Sequence, residues 1–378
     1  MSKALHSAHS DRLSALDASF LAVENDAAPM HVAMVLVFEG KTLGDEDGEL
    51  RMEPMRRYVE DALDSCERYR QKLDWVPGLW QPVWVDDQRF DLGFHLRKES
   101  MPAPGSDHDL KELVARLLSH RLDRNRPLWE MYLVDGLSDD RIAMVIKVHH
   151  CMVDGVGGMQ LLMSLLRPEP SADPLKRGAP WTPRPRPSGW TMFRDELRHR
   201  GRMARRLMES LDRDRIARGI SGLWHALKNG LPGLTANSGF TSEDVGPERR
   251  FEWTSFDLEK VKDIKAGLGG TVNDVILAAV AGAARRYLRR RDVDPSKLEP
   301  LRAVLPVHTG ESGREMAGNQ VAMVMAKLPV DEASPRNRMQ QVVEETSELK
   351  SESHQVDGVK LFEDVADVVS QKLLSSAF

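Results

Sequence analysis

The chain has 378 residues, and its 53 lysines and arginines against 58 aspartates and glutamates give a net charge of −5. Hydrophobic residues make up 41% and charged residues 29%, proportions that indicate a folded protein of about two domains and exclude wholesale disorder. The composition also argues against a nucleic-acid-binding protein, which needs a basic excess, and against a disulfide scaffold, which needs more than two cysteines.

Strand and helix patterns alternate through the first 167 residues. Short runs of apolar, β-branched residues indicate strands, and apolar residues at helical spacing indicate helices. Strands are predicted at 30–38, 129–134 and 142–150, and helices at 55–72 and 156–166. The segment Asp-Gly-Leu-Ser-Asp-Asp at 135–140 predicts a turn that joins the second and third of these strands.

Composition changes sharply after residue 167, because seven prolines fall within residues 168–187. Proline fixes φ and removes an amide donor, so this stretch is neither an internal strand nor a helix. We therefore predict an N-terminal lobe over 1–167, a proline-rich crossover linker over 168–189 and a C-terminal lobe over 190–378.

The C-terminal lobe is predicted to begin with a long helix over 190–231. Nine arginines lie between Arg194 and Arg218, which makes its non-apolar face basic. That face is either solvated or directed to a membrane surface or to the phosphate groups of a ligand. Further strands are predicted near 250–256 and at 302–307 and 320–328, and helices at 258–267, 272–291, 335–350 and 359–374.

The sharpest motif lies at the exit of the predicted strand 142–150, where residues 149–155 read HHCMVDG. Side chains alternate between the two faces of a strand, so the imidazoles of His149 and His150 diverge. Diverging side chains do not grip one metal ion, which favours one histidine for chemistry and one for structure.

A neutral imidazole accepts a proton at physiological pH, which makes a histidine at a strand end a candidate general base. Asp154 can hold the following turn through side-chain hydrogen bonds, and Gly155 permits a backbone conformation that other residues avoid. The alternative interpretation is a buried histidine pair followed by an ordinary Asp-Gly turn.

The HHxxxDG pattern resembles the active-site motif of CoA-dependent acyltransferases with the chloramphenicol acetyltransferase-like fold. Further stretches resemble the bacterial wax ester synthase/acyl-CoA:diacylglycerol acyltransferase family in the family's order. They are LSALDASFL at 13–21, PMHV at 29–32, LDRNRPLWE at 122–130, NDVILA at 273–278, PV at 306–307 and GNQ at 318–320.

This resemblance implies an α/β, two-lobed acyltransferase fold with an active-site tunnel between the lobes. It implies an acyl-CoA-dependent O-acyltransferase that forms triacylglycerol from diacylglycerol, or wax esters from long-chain alcohols, by direct transfer in a ternary complex. No cofactor and no metal are expected beyond acyl-CoA as co-substrate. The alternatives are a carrier-protein-dependent acyltransferase and a catalytically weak binding or scaffold protein of the same fold.

The resemblance also assigns roles to particular residues. His150 is the expected general base, with His149, Asp154 and Gly155 in support. Asn273 and Asp274 are expected in the substrate or oxyanion region, although they could equally cap the helix that follows them. Cys151 is interpreted as a core filler and Trp129 as a packing anchor.

Two further expectations concern the end of the chain and its surroundings. We find no Ser-Asn-Val-Pro-Gly-Pro turn of the kind expected in the family's C-terminal part, so we expect the family's C-terminal segment to be missing. The N-terminus has no signal-like apolar run, and no stretch reaches the roughly 20 apolar residues of a spanning helix. The expected location is cytoplasmic, at the inner face of the cell membrane or at lipid inclusions.

Overall fold

The computed structural model describes residues 10–43, 50–64, 66–152, 165–166, 181–210, 246–298, 300–308 and 321–352. The N-terminal strands are β1 (Asp11–Arg12), β2 (His31–Glu39), β3 (Gln71–Trp75), β4 (Pro82–Asp86), β5 (Leu96–Gly105), β6 (Trp129–Leu137) and β7 (Arg141–His149). The N-terminal helices are α1 (Ala15–Val23), α2 (Gly40–Leu43), α3 (Met52–Leu63), α4 (Leu92–His95) and α5 (Asp107–Leu118). Short 3-10 helices follow at Glu67–Arg70 and His150–Met152.

These strands form two sheets. The larger has the order β2-β7-β6-β5, in which β7 pairs antiparallel with β2 and β6, while β5 and β6 are parallel. The smaller is antiparallel, with the order β1-β4-β3. Strand β7 is therefore central in the larger sheet, and its last residue, His149, pairs with His31 at the start of β2.

The two faces of β7 are both buried. Ile142, Met144, Ile146 and Val148 contribute to one apolar cluster, and Ala143 and Val145 contribute to another that includes residues of α5. This is the alternation predicted from the sequence. Burying each Ile or Val stabilises the fold by about 1.5–3 kcal/mol, so the strand that leads to the histidine pair is firmly held.

The described part of the predicted linker lies along the smaller sheet. Arg184 donates to both carboxylate oxygens of Asp86, each at 2.9 Å, and Arg186 pairs with Asp74. Helix α6 (Gly189–Ser210) then packs Met192 against a cluster of valines from β4 and the β3–β4 turn. The start of α6 thus rests on N-terminal strands, while the division of the chain at 168–189 stays a prediction.

The C-terminal part contains α7 (Leu258–Leu268), α8 (Val272–Arg290), a 3-10 turn at Pro295–Lys297, β8 (Arg302–His308), β9 (Val321–Lys327) and α9 (Pro335–Glu352). Strands β8 and β9 form an antiparallel pair. Apolar residues of α8 and α9 pack with residues at and beyond these strands in a separate core cluster.

The predicted elements agree with these bounds except at two places. The helix predicted at 55–72 ends at Leu63, because a 3-10 turn follows and residues 71–75 pair with β4 instead. Residues 250–256 form no strand. Phe251 and Trp253 pack against the apolar cluster that includes residues of α5, but this segment pairs with no strand in the described part of the chain. The helix predicted at 190–231 is described only to Ser210, and those at 156–166 (apart from its last two residues) and 359–374 lie outside the described residues.

Within the described part of the chain, no single helix has the length and apolar character needed to cross a membrane. Helices α7 and α8 meet that test only as a pair, and the chain bends by 96° between them.

Candidate active site

The end of β7 is held on both sides by neighbouring backbone. The amide of His149 donates to the Leu128 carbonyl at 2.9 Å, and the amide of His150 donates to the Met30 carbonyl at 2.8 Å. His150 itself starts the 3-10 turn His150–Met152, so the strand ends one residue earlier than predicted. The turn directs the two imidazoles to different neighbours.

His149 is completely buried. Its Nδ1 accepts a hydrogen bond from the Cys151 amide at 3.1 Å, which places the proton of the neutral ring on Nε2. That nitrogen lies 3.4 Å from Oε1 of Glu24. The buried ring thus has a neighbour at each nitrogen, and the supporting role of His149 stays a prediction.

Glu24 follows α1 directly, and its side chain is only 1% exposed. Its carboxylate accepts hydrogen bonds from the Met30 amide at 3.1 Å and from Nη2 of Arg124 at 2.7 Å. Burial raises its pKa, but the polar contacts with His149, Arg124 and Met30 outweigh that effect and lower the pKa to about 2. Glu24 is therefore ionised at neutral pH.

His150 is half-buried and lies against Phe20, with the two ring centroids 3.9 Å apart. Its Nδ1 is buried and has no hydrogen-bond partner among the described residues. The predicted divergence is thus observed, since His149 lies beside Glu24 and His150 beside Phe20. His149 is buried, so His150 is the partly exposed member of the pair.

Two neighbouring residues behave as packing groups. Cys151 is buried, and this burial raises the pKa of its thiol, so a reactive thiolate is disfavoured. Trp129 is completely buried, donates from Nε1 to the Tyr69 carbonyl at 2.7 Å and stacks on His95. Both observations confirm the interpretation of these side chains as core residues.

Asp154 and Gly155 lie outside the described residues, so the supporting roles predicted for them stay predictions. Among the described residues, no group of three histidine, cysteine, aspartate or glutamate side chains is arranged to hold a metal ion. The expectations of no metal and no cofactor likewise remain predictions.

Asn273 and Asp274 lie in the first turn of α8, but neither is the residue that caps it. Thr271 caps the helix, and Asp274 returns the contact by accepting from the Thr271 amide at 2.7 Å. The buried Asp274 also accepts from Oγ1 of Thr346 in α9 at 2.8 Å, so its carboxylate joins two helices. Asn273 is exposed.

The described contacts do not join this helix start to His149 or His150. Direct substrate contact therefore stays a prediction for Asn273 and for Asp274, and the three hydrogen bonds of Asp274 give that residue a structural role. In the backbone of the first turn, the Asp274 amide donates to Thr271, whereas the Val272 and Asn273 amides have no carbonyl partner within the helix.

Sequence reasoning did not single out Glu24, Arg124 or Phe20 individually. Phe20 and Arg124 lie inside the quoted stretches 13–21 and 122–130, which were interpreted only as family signatures. An acidic residue shortly after the stretch 13–21, together with a distant arginine, is the signal that could have suggested Glu24. That signal is weak, because one such pair among many charged residues has no distinguishing spacing.

Comparison with known families gives two matches along the chain. The family model described as the wax ester synthase/diacylglycerol acyltransferase catalytic domain matches residues 13–276. The model described as the WS/DGAT C-terminal domain matches residues 317–378. The expectation that the family's C-terminal segment is missing is therefore wrong, because one short turn motif is a poor marker for a whole domain.

Several curated relatives come from Mycobacterium tuberculosis. Two whose names give diacylglycerol O-acyltransferase as a provisional activity are 33% identical over 335 residues and 34% identical over 359 residues. The first alignment covers 87% of this chain and 70% of the relative, and the second covers 93% and 73%.

Solved structures share the fold. A wax ester synthase/diacylglycerol acyltransferase from Marinobacter aquaeolei VT8 matches with a TM-score of 0.60 and 24% identity, covering 96% of this chain and 79% of that one. The first condensation domain of the calcium-dependent antibiotic synthetase matches with a TM-score of 0.51 and 14% identity, covering 92% and 76%. The predicted α/β acyltransferase fold class is confirmed by these matches. The chain belongs to the wax ester synthase/diacylglycerol acyltransferase family, a class of acyltransferase enzymes.

Proposed function

We propose that this chain transfers the acyl group of an acyl-CoA to the hydroxyl group of diacylglycerol or of a long-chain alcohol. The products are triacylglycerol or a wax ester, together with free CoA. The observation that carries the proposal is the accessible His150 at the end of β7, within a chain whose family catalyses acyl transfer. The names of the mycobacterial relatives favour diacylglycerol as one acceptor.

In the proposed mechanism, His150 removes the proton of the acceptor hydroxyl as that oxygen attacks the thioester carbonyl. The tetrahedral intermediate collapses with cleavage of the carbon–sulfur bond, and the imidazolium returns its proton to the departing CoA sulfur. No acyl-enzyme forms. The buried Cys151, with its raised thiol pKa, supports this direct route over a cysteine-bound intermediate.

The negative charge on the carbonyl oxygen of the intermediate needs hydrogen-bond donors. We assign this task to the region of Asn273, because the first amides of α8, those of Val272 and Asn273, have no carbonyl partner within the helix and the helix dipole favours negative charge there. The next amide, that of Asp274, already donates to Thr271. Asp274 acts indirectly in this proposal, by holding the helix start to Thr271 and Thr346. His149, Asp154 and Gly155 support the position of His150.

The proposed acceptors reside in lipid, and the outward face of α6 suits an anionic lipid surface. Trp190 is 69% exposed, Leu197 is 48% exposed, and arginines follow at helical spacing on the same side: Arg194, Arg198, Arg202 and Arg205. Trp80, in the turn that packs beside α6, is 57% exposed. We call these residues the tryptophan–arginine face.

The tryptophan–arginine face suits membrane binding because it combines two kinds of side chain. Tryptophan places an amphipathic ring at the level of lipid headgroups, and arginine is attracted to anionic headgroups. Asp195 offsets part of the charge through contacts with Arg194 and Arg198 at 3.4 and 3.5 Å. The protein is thus proposed to bind peripherally where its acceptor is dissolved.

The proposal is tested with the purified 378-residue chain, palmitoyl-CoA and either dioleoylglycerol or hexadecanol dispersed in detergent. We expect CoA release, followed with a thiol reagent, that depends on the acceptor, with the matching lipid ester found by chromatography. Release without an ester product would show a hydrolase. Ester formation only from an acyl carrier protein, and not from palmitoyl-CoA, would support the carrier-dependent alternative.

A further inference from the structure

The Glu24 carboxylate reaches the backbone on one side of His150 through Met30. Its Oε1 accepts the Met30 amide hydrogen at 3.1 Å, and the Met30 carbonyl accepts the His150 amide hydrogen at 2.8 Å. Met30 directly precedes β2, so the bond between the His150 amide and the Met30 carbonyl continues the pairing of β2 with β7 past the strand end. The peptide group between His149 and His150 is therefore tied to Glu24 through one intervening residue.

The same oxygen reaches the other side of His150 through a side chain. Oε1 lies 3.4 Å from Nε2 of His149, and Nδ1 of that ring accepts the Cys151 amide hydrogen at 3.1 Å. The peptide group between His150 and Cys151 thus also reaches Glu24 through the His149 ring, by one hydrogen bond and one close polar contact. Both peptide groups that flank His150 depend on a single buried carboxylate.

The other oxygen of Glu24 is held in turn. Oε2 accepts from Nε and Nη2 of Arg124 at 3.1 and 2.7 Å, and Nη2 also donates to the Leu21 carbonyl at 2.9 Å. Two guanidinium nitrogens hold one carboxylate oxygen and the Met30 amide holds the other, which restricts the rotation of the carboxylate. Arg124 therefore fixes the carboxylate from which both chains of contacts start.

We propose that Glu24 is a positioning residue for acyl transfer: it fixes the two peptide groups on either side of His150 and so orients the imidazole toward the acceptor hydroxyl. This inference rests on the proposed function in taking His150 as the base. In this proposal the buried Glu24 carboxylate orients the His150 side chain without contacting it.

The effect should be seen in turnover more than in binding. Displacing a catalytic group by about 1 Å costs on the order of 100-fold in rate. A ligand that contacts the rest of the site still binds when only the base is misplaced, so KM is much less affected. Loss of Glu24 also leaves Arg124 and the Met30 amide without their partner, which lowers stability.

The test compares Glu24→Ala and Glu24→Gln with the matched control Glu196→Ala. Glu196 is also a buried carboxylate held by two arginines, with oxygens 3.1 Å from Arg12 and 2.7 Å from Arg200, but it lies in α6. We expect Glu24→Ala to lower kcat by about 10- to 100-fold with KM changed by less than about twofold. Glu24→Gln, which keeps an acceptor oxygen, should have an intermediate kcat, while Glu196→Ala keeps wild-type kcat despite a lower Tm.

Hydrogen exchange at the His150 and Cys151 amides supplies a readout that is independent of activity. Both amides should exchange faster in Glu24→Ala than in Glu196→Ala, because their acceptors lose support. Unchanged exchange at these amides, or wild-type kcat in Glu24→Ala, would overturn the proposal. An equal loss of kcat in Glu24→Ala and Glu196→Ala would also overturn it, by showing a general stability effect. A failure of the proposed function would be recognised differently, because His150→Ala would then keep full activity.

Discussion

The imidazole of His150 stacks on the ring of Phe20, with centroids 3.9 Å apart and an angle of 24° between the planes. Phe20 lies four residues before Glu24, so α1 and the residue that follows it supply both the stacking partner of His150 and the carboxylate beside His149. The short helix near the N-terminus and the residue that follows it thus contact both members of the histidine pair.

The stack leads to a prediction for Phe20→Leu. Leucine fills part of the space but cannot hold the imidazole in one plane, and an aromatic pair contributes about 0.5–1.5 kcal/mol beyond its buried area. If that preference orients the base, kcat should fall about 2- to 12-fold. Steady-state assays with dispersed dioleoylglycerol measure the effect. Phe20→Tyr, which keeps the ring, is the control and should retain most activity.

The two histidines should respond differently to replacement. His150→Ala should reduce kcat by about 10²–10⁴-fold with little change in Tm, because it removes the proposed base from a half-buried position. His149→Ala should lower Tm markedly, because it opens a space in the fully buried site beside Glu24 and leaves that carboxylate without one contact. Assays and thermal melts of both variants provide the comparison. Loss of catalysis in His149→Ala at unchanged Tm, with His150→Ala active, would reverse the assignment.

Stability should depend on pH through His31, whose pKa is lowered to about 4, first by burial and then by the charge of Lys147. His149 also lowers this pKa, while the Leu118 carbonyl and Glu24 raise it. Between pH 6.5 and about 4 the unfolded chain binds this proton and the folded chain does not, so stability falls as pH falls through that window. Above pH 6.5 the histidine contributes no pH dependence.

The measurement is Tm from pH 7 to pH 4 for the wild type and for His31→Gln. The variant should lose less Tm across this range, because glutamine does not titrate. His108→Gln, at an exposed position in α5, is the control and should follow the wild-type curve. Parallel curves for the wild type and His31→Gln would contradict the prediction.

The tryptophan–arginine face should bind vesicles that contain phosphatidylglycerol. Each basic residue near an anionic surface contributes about 1 kcal/mol at low salt, so the triple change Arg198→Gln, Arg202→Gln and Arg205→Gln should weaken binding by up to about 100-fold. Replacing Trp80 and Trp190 with serine should weaken the part of the binding that persists at high salt. Sedimentation with vesicles measures both effects.

A matched triple change on the exposed side of α8 controls for net charge: Arg286→Gln, Arg289→Gln and Arg290→Gln. This control should bind vesicles as the wild type does. Turnover on detergent-dispersed acceptor should be unchanged in the variants of either face. If the α6 variant sediments like the wild type, the membrane contact lies elsewhere on the protein. The tryptophan–arginine face would then be a candidate for contact with a second copy of the chain, which light scattering would reveal.

The sequence alone determined the elements whose signal is local. The strands around the 135–140 turn and the helix at 272–291 were predicted to within a few residues, because their apolar periodicity extends over the whole element. The helix predicted at 55–72 was too long, since Tyr69 and Leu73 are spaced as in a helix but belong to a turn and a strand. Pairing with β4 decided that segment, and pairing is not a local property.

Strand alternation predicted that His149 and His150 have different neighbours, and the motif drew attention to this strand end. In the structure, the 3-10 turn that starts at His150 separates the two rings. Only the tertiary structure decided which histidine is accessible, because accessibility depends on α1 and on residues far along the chain. Arg124 lies 100 residues from Glu24, and His149 lies beyond both in sequence, so their convergence follows no periodicity. Likewise, Asp274 accepts a hydrogen bond from Thr346 only because α8 packs on α9. Local patterns specify elements and faces, whereas contacts between distant segments depend on how the packed elements bring them together.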